Sequence, residues 1–381
     1  MKSVYLDNAA TTALRPQVID RMTEVLKENF GNASSTHSFG RSSKALLEQC
    51  RKNIASYFNV SPGEIVFTSG GTEADNLALR SAVRDLGVTE IITSRIEHHA
   101  VIHTAEQLQN EYGVKISFVE VDINGFINYD HLEELLKRSD KALVSLMHIN
   151  NEIGNILDIE KVAKLCESYG ALFHTDTVQS IGHFKLDLDK IPVDFLAASA
   201  HKFHGPKGVG FCFIRKASGL KPLIFGGEQE RGHRAGTESI HNIVGMDEAL
   251  GQAYENLEKE HEYVLGLKSY FIERLQHIIP SVGFNGGCND LENSTYTLVN
   301  ICLPINPEKA PMLQFQLDLK GIACSKGSAC QSGSSQQSHV LSAILNKDDL
   351  MKPSVRFSFS SFNTKEELDY VIDVLNEFVN S

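Results

Sequence analysis

The chain has 381 residues, of which 42% are hydrophobic and 22% charged, and its formal net charge is −12. That length points to two domains, or one large domain with an appendage, and to a core large enough to need no staples. The acidic balance excludes a basic nucleic-acid footprint, and no window approaches the roughly 18 consecutive apolar residues of a membrane span.

The N-terminus, Met1-Lys-Ser-Val-Tyr-Leu-Asp7, has neither an apolar signal core nor a cleavage site. The seven cysteines are odd in number and contain no CxxC pair, which predicts free thiols in a reducing, cytoplasmic setting. Residues 1–12 read as extended and turn-like. Pro16 opens a helix whose apolar positions Val18, Ile19, Met22, Val25 and Leu26 keep helical spacing. A loop rich in Gly, Asn and Ser follows over 31–38, then a second helix over 42–58. From Glu64 onward strands and helices alternate. Strands are expected at 65–68, 90–93, 115–121, 142–147, 171–174 and 194–198, with helices at 73–86, 101–112, 130–137 and 159–169 between them. A last strand at 208–214 is expected to be antiparallel. Strands separated by helices of this length argue for a mostly parallel sheet covered on both faces.

Around Ser239 a helical pattern begins that runs to Ile278, too long for one compact layer. After Pro280 the pattern is mixed: strands at 297–302 and 354–359, helices at 310–319, 338–345 and 365–379. The fold class expected is α/β, a large domain over 13–258 with a mostly parallel sheet, and a smaller α+β domain built from 1–12 with 259–381.

The strands of the large domain end in polar clusters: Thr68-Ser-Gly-Gly-Thr-Glu73, Ser94-Arg-Ile-Glu-His-His99, Met147-His-Ile-Asn-Asn-Glu152, His174-Thr-Asp-Thr-Val-Gln179 and Ser199-Ala-His-Lys202. In a parallel sheet these ends face one crevice. Lys202, among imidazoles at a strand end, is placed to lose its proton and attack a carbonyl, or else is a solvated loop lysine. Asp176 ends an apolar strand, where a buried carboxylate needs a partner: an ion pair, a helix cap, or a protonated ring nitrogen. Gly71-Thr72 opens a helix, where free N–H groups suit either an anion or a plain cap. Neither GxGxxG nor GxxxxGK[ST] is present. An amine for an aldehyde, an acid for a ring nitrogen and donors for a phosphate match the needs of pyridoxal phosphate.

These residues carry a resemblance. The chain resembles the NifS/IscS-type cysteine desulfurases of the fold-type I pyridoxal-phosphate superfamily. The likeness runs through Tyr5-Leu-Asp-Asn-Ala-Ala-Thr-Thr12, Phe67-Thr-Ser-Gly-Gly-Thr-Glu73, Glu97-His98, Asn150-Asn-Glu152, Thr175-Asp-Thr-Val-Gln179, Ser199-Ala-His-Lys202, His233-Arg-Ala-Gly-Thr237, Gly327-Ser-Ala-Cys330 and Val355-Arg-Phe-Ser358. It implies that Lys202 holds pyridoxal 5'-phosphate as a Schiff base. Asp176 would pair with the ring nitrogen, Gln179 would bond the ring hydroxyl, and His98 would stack on the ring and move protons. Gly71, Thr72, Ser199 and His201 would hold the phosphate, with Thr237 reaching it from the other subunit of a homodimer. Asn151 and Arg356 would bind the carboxylate of the substrate, L-cysteine.

Cys330 sits in the polar run Ser325-Lys-Gly-Ser-Ala-Cys330-Gln-Ser-Gly-Ser334, unusual for a structural cysteine. The resemblance makes it the nucleophile that takes sulfur as a persulfide for a sulfur acceptor or iron–sulfur scaffold protein, leaving alanine. Cys324 ends an apolar stretch and reads as core. Ser360-Ser361 stands where the family commonly has Gly-Arg. A selenocysteine lyase or an aminotransferase of the same fold is the nearest alternative. A reading from another class is a metal protein, with His99 and His103 four apart on one helix face.

Overall fold

The structure is a computed structural model that describes residues 3–215, 219–306, 309–325 and 337–380. In chain order it comprises β1 (Val4–Tyr5), α1 (Pro16–Glu28), α2 (Ser38–Tyr57), β2 (Ile65–Thr68), α3 (Gly71–Leu86), β3 (Glu90–Thr93), α4 (His99–Tyr112), β4 (Lys115–Phe118), α5 (Tyr129–Lys137) and β5 (Ala142–Ser145). There follow α6 (Ile159–Ser168), β6 (Leu172–Asp176), β7 (Phe195–Ser199), β8 (Gly210–Ile214), α7 (Ile240–Glu255), α8 (Leu257–Ile278), β9 (Gly283–Phe284) and β10 (Leu298–Cys302). The chain closes with α9 (Ala310–Leu319), β11 (Ile322–Ala323), α10 (His339–Ile344), α11 (Lys347–Leu350), β12 (Ser354–Ser358) and α12 (Lys365–Asn380).

Seven strands form one sheet in the order β2-β8-β7-β6-β5-β3-β4. All pairs are parallel except those of β8, which runs antiparallel between β2 and β7. Alternation along each strand feeds two cores. Ile65, Phe67, Ile92, Val144, Leu196 and Ala198 point to the face covered by α2, α6 and α7. Val66, Ile91, Leu143, Phe195 and Ala197 point to the face covered by α3 and α4. Because both faces are buried, these strands read in sequence as unbroken apolar runs. The carboxyl ends of β2, β3, β5, β6 and β7 lie along one edge, as parallel pairing requires.

A third core gathers Val4 and Leu6 with α8, α12 and the sheet β12-β10-β9. Its strand β1 pairs in parallel with β11, Val4 opposite Ile322. The long helix expected over 239–278 is two helices. Asn256 sits between them at φ −101°, ψ 8°, and its side chain donates to the Gln252 carbonyl at 2.9 Å, sharing that acceptor with its own backbone N–H at 3.2 Å. The second helix of the chain begins at Ser38, four residues earlier than expected, because His37 caps it: its Nδ1 accepts from Gly40 N–H at 3.3 Å.

Candidate active site

β7 delivers Ser199 to the sheet edge, and a single helical turn over Ala200–Lys202 swings the lysine back across it. Lys202 Nζ donates to the carbonyls of Ala9 at 2.6 Å and Ala10 at 2.9 Å. Gln179 Nε2 donates to the same Ala9 carbonyl at 2.9 Å. The N-terminal segment is pinned there by Thr12 N–H to His201 O at 2.9 Å and by His204 N–H to Thr12 Oγ1 at 2.7 Å. A small cavity opens in front, lined by Asn8, Gln179, Lys202, His204, Tyr296 and Ser360. His183 lies behind, its Nε2 3.2 Å from the Lys202 carbonyl and its Nδ1 3.2 Å from Tyr296 Oη. Sequence reasoning missed the Ala9 and Ala10 carbonyls, since a backbone acceptor leaves no signature in residue type.

Asp176 is the last residue of β6 and is 5% exposed. Its Oδ1 accepts from Val178 N–H at 2.9 Å. Burial pushes its carboxyl up to about 6, against the pull of that N–H and of Lys202. His98 caps α4: its Nδ1 accepts from Ala100 N–H at 3.1 Å, so the neutral ring carries its proton on Nε2. Burial, then the Lys202 charge and the nearby His339 and His103, push this imidazole down to about 4. Polar atoms of Asp75, His98 and Asp176 lie within 4.8 Å of one another. Asp75 was not singled out from sequence. The signal was there: a carboxylate in the apolar stripe Ala74, Leu77, Ala78 and Ala82 of α3.

The β2–α3 turn makes the anion-sized corner. Gly70 has φ 152°, a conformation that favours glycine. The first helical bond runs from Ala74 N–H to Gly70 O at 3.1 Å, so the N–H groups of Gly71, Thr72 and Glu73 precede the ladder at the positive end of the helix. A Cβ on Gly71 would meet Val178 Cγ2 at 2.5 Å, and one on Gly70 would meet Ser199 Oγ at 3.4 Å. The turn is therefore pressed against the ends of β6 and β7. His201 Nδ1 is buried there without a hydrogen-bond partner. Burial, then Lys202 and Lys207, push this ring down to about 4.

Arg356 on β12 is 1% exposed. Its Nη1 donates to Asn151 O at 2.6 Å and its Nη2 pairs with Asp7 Oδ1 at 2.8 Å, while Nε is buried without a partner. Thr237 is exposed and lines a groove with Leu26, Phe30, Ala33 and His241, away from the cavity in front of Lys202. Cys330 lies outside the described residues. The residues flanking 326–336 are anchored at the site: Ser325 exchanges backbone bonds with Arg356 at 2.7 and 3.2 Å. Ser338 Oγ donates to Glu152 Oε2 at 2.5 Å, and His339 Nε2 is 2.8 Å from the Glu97 carbonyl. Cys324 is half-buried against the third core, and burial pushes its thiol up to about 12.

His99 and His103 stack with ring centroids 4.7 Å apart, and His339 approaches His99 at 4.3 Å. Stacked rings do not aim their nitrogens at one point. Among the described residues the potential ligand atoms that do converge are those of Asp75, His98 and Asp176.

The family model for class-V aminotransferases matches residues 4–371. A cysteine desulfurase IscS of Dictyoglomus turgidum is 43% identical over 381 residues, covering 99% of this chain and 95% of the relative. A cysteine desulfurase IscS of Methanosarcina thermophila is 40% identical, covering 99% and 92%. A solved NifS-like protein superposes with a TM-score of 0.90 at 35% identity, over the whole of both chains. The chain thus belongs to the class-V aminotransferase family, beside its IscS- and NifS-type cysteine desulfurases.

Proposed function

We propose that this protein is a pyridoxal-phosphate-dependent cysteine desulfurase, converting L-cysteine to L-alanine and taking the sulfur as a persulfide on Cys330 for iron–sulfur cluster or thio-cofactor synthesis. The observation that carries this reading is one sheet edge that brings together an amine, Lys202, a buried acid, Asp176, a neutral imidazole, His98, and an anion corner at Gly71-Thr72, in a chain of this family.

The residues fit the cofactor on their own chemistry. Asp176 and Asp75 are two buried carboxylates within 4.8 Å of each other, and a protonated ring nitrogen would supply the cation their site calls for. The unladdered N–H groups of α3, the Ser199 hydroxyl and the unpartnered His201 Nδ1 suit a phosphate. Lys202 would hold the aldehyde, Asp176 the ring nitrogen and Gln179 the ring hydroxyl. When bound, pyridoxal phosphate withdraws electrons from the substrate's carbon skeleton.

The chain's own groups do the rest. Arg356, whose buried Nε–H is unpaired, and Asn151 orient the substrate carboxylate. Lys202 Nζ and His98 move protons; at neutral pH the imidazole is uncharged, and its Nε2–H is the hydrogen it presents. The Cys330 thiolate attacks the substrate sulfur. A sulfur–sulfur bond forms as the carbon–sulfur bond breaks, and its electron pair stays with carbon, which is protonated to alanine. Ser325 and Ser338, on either side of 326–336, are themselves held at the site, by Arg356 and Glu152.

The same reading takes the protein as a cytoplasmic homodimer, with a large domain over 13–258 and a small domain from 1–12 with 259–381. Thr237 would complete the phosphate site of the partner, and a sulfur-acceptor or iron–sulfur scaffold protein would receive the persulfide. Incubation with L-cysteine and a thiol reductant should yield alanine and sulfide in equal amounts. A keto-acid product, the mark of an aminotransferase, or turnover with selenocysteine alone would overturn the reading.

A further inference from the structure

Behind Asp176 the floor of the site continues into groups that the mechanism above does not use. Asp75, 1% exposed, stands between Asp176 and His174, and His174 is wholly buried on β6. Asp75 Oδ1 and His174 Nε2 face each other at 3.4 Å, and neither has a hydrogen-bond partner as placed. The other ring nitrogen, His174 Nδ1, is 2.8 Å from Ser145 Oγ. The charged and titratable groups around Asp75 come from several elements: Asp176 and His174 on β6, Glu97 and His98 after β3, and Cys212 on β8. None of these is a permanent cation.

Two carboxylates this close and this deeply buried do not both ionise against one positive charge. The environment separates them. Asp176 accepts the Val178 N–H and feels the Lys202 charge, both of which favour its anion. Asp75 has burial and the charge of Asp176 against it. A protonated Asp75 has one O–H to donate, and the unpartnered His174 Nε2 is the acceptor it faces. With its proton on Nδ1, toward Ser145 Oγ, the neutral imidazole presents that lone pair.

We propose that Asp75 stands protonated between Asp176 and His174, its proton directed to His174 Nε2, so that the carboxylate pair presents a single negative charge, on Asp176, to the cofactor ring. Asp75 and His174 are then positioning residues: they match the one positive charge of a ring nitrogen with one negative charge. The inference rests on the cofactor reading above.

The test uses the holoenzyme with ¹⁵N-labelled histidine, the His174 signals being those lost in His174→Gln. The expected result is a neutral ring with its proton on Nδ1 from about pH 6 to 9. A proton on Nε2, or an imidazolium, means that Asp75 is an ionised acceptor and overturns the proposal. Infrared spectra add a second readout. The protonated-carboxyl C=O absorption of the unsubstituted holoenzyme should lose one component in Asp75→Asn, the Glu97 component remaining, whereas an unchanged band contradicts the proposal. Should Asp75→Asn not fold, the tautomer in the unsubstituted protein still decides. A chain that bound no pyridoxal phosphate would overturn the functional reading instead, and the absorbance of the bound cofactor separates that outcome from the tautomer result.

Discussion

Glu97 shows how a single buried residue ties the site to stability. It is 1% exposed, and its oxygens accept from Met147 N–H at 3.0 Å and from Ser94 Oγ at 3.0 Å. Burial, reinforced by the Asp176 charge and opposed by the Met147 N–H, pushes its carboxyl up to about 8 from an ordinary 4.5. The folded state therefore binds a proton that the unfolded state releases above about 4.5. The stability this proton confers is full below that pH and is lost as pH rises through about 8. The buried neutral histidines act in the opposite sense at the acid end, so the informative quantity is a difference. The melting temperature of the native sequence should fall relative to that of Glu97→Gln as pH is raised from about 5 to about 8, followed by thermal unfolding across pH. A gap that stays constant with pH would show that Glu97 is ionised in the folded protein. At this scale the sequence was most legible where residue type names its chemistry. Lys202 and Asp176 stood out and the family resemblance added His98, whereas Asp75 was hidden in a helix and Ala9 acts through its carbonyl.

Among the elements, the segment after β8 returns to the sheet through one buried ion pair. Glu230 sits at φ 47° and Arg231 at φ 55°, a left-handed pair that residues with side chains adopt at a cost. Arg51 on α2 holds it there, with Nη1 to Glu230 Oε2 at 2.6 Å and Nη2 to Oε1 at 2.9 Å, while Phe67 N–H donates to Oε2 at 2.8 Å. Arg234 from the same segment reaches Glu73 Oε1 at 2.8 Å, at the start of α3. Breaking such a pair leaves a buried charge alone. Arg51→Met should destabilise the protein by about 3–5 kcal/mol in denaturant unfolding. A loss below about 1 kcal/mol would mean that water reaches Glu230. None of this pairing was legible beforehand, because Arg51 and Glu230 are far apart in the chain and each alone reads as a surface charge. The strands of the main sheet were legible as apolar runs. The two-residue strands β1, β9 and β11 were not, since a pair such as Val4 with Ile322 exists only through long-range contact. The expected single helix over 239–278 failed at Asn256, whose side chain mimics a backbone donor.

For the whole molecule, the polar edge of the sheet is one site, and an apolar surface lies away from it. Phe30 and Phe39 lie with ring centroids 5.2 Å apart while 73% and 54% exposed, and Phe225 is 78% exposed. Leu26 and Phe30 share a groove with Thr237. Exposed aromatics of this kind suit the dimer interface proposed above. The protein should sediment at twice 42.1 kDa. Phe30→Asp combined with Phe225→Asp should give monomers whose affinity for pyridoxal phosphate is at least about tenfold weaker, a desolvated anchor typically contributing ~2 kcal/mol or more. Native monomers with full cofactor affinity would contradict a shared site. The central claim is narrower: Lys202 holds the cofactor, and Cys330 takes the sulfur. Its most direct test is mass spectrometry of the holoenzyme after one turnover with ³⁴S-labelled L-cysteine and no reductant. The account predicts one labelled sulfur on the peptide containing Cys330, none on Cys324, and one alanine released for each. Alanine formation with the label on Cys324, or with an unmodified Cys330, would contradict it.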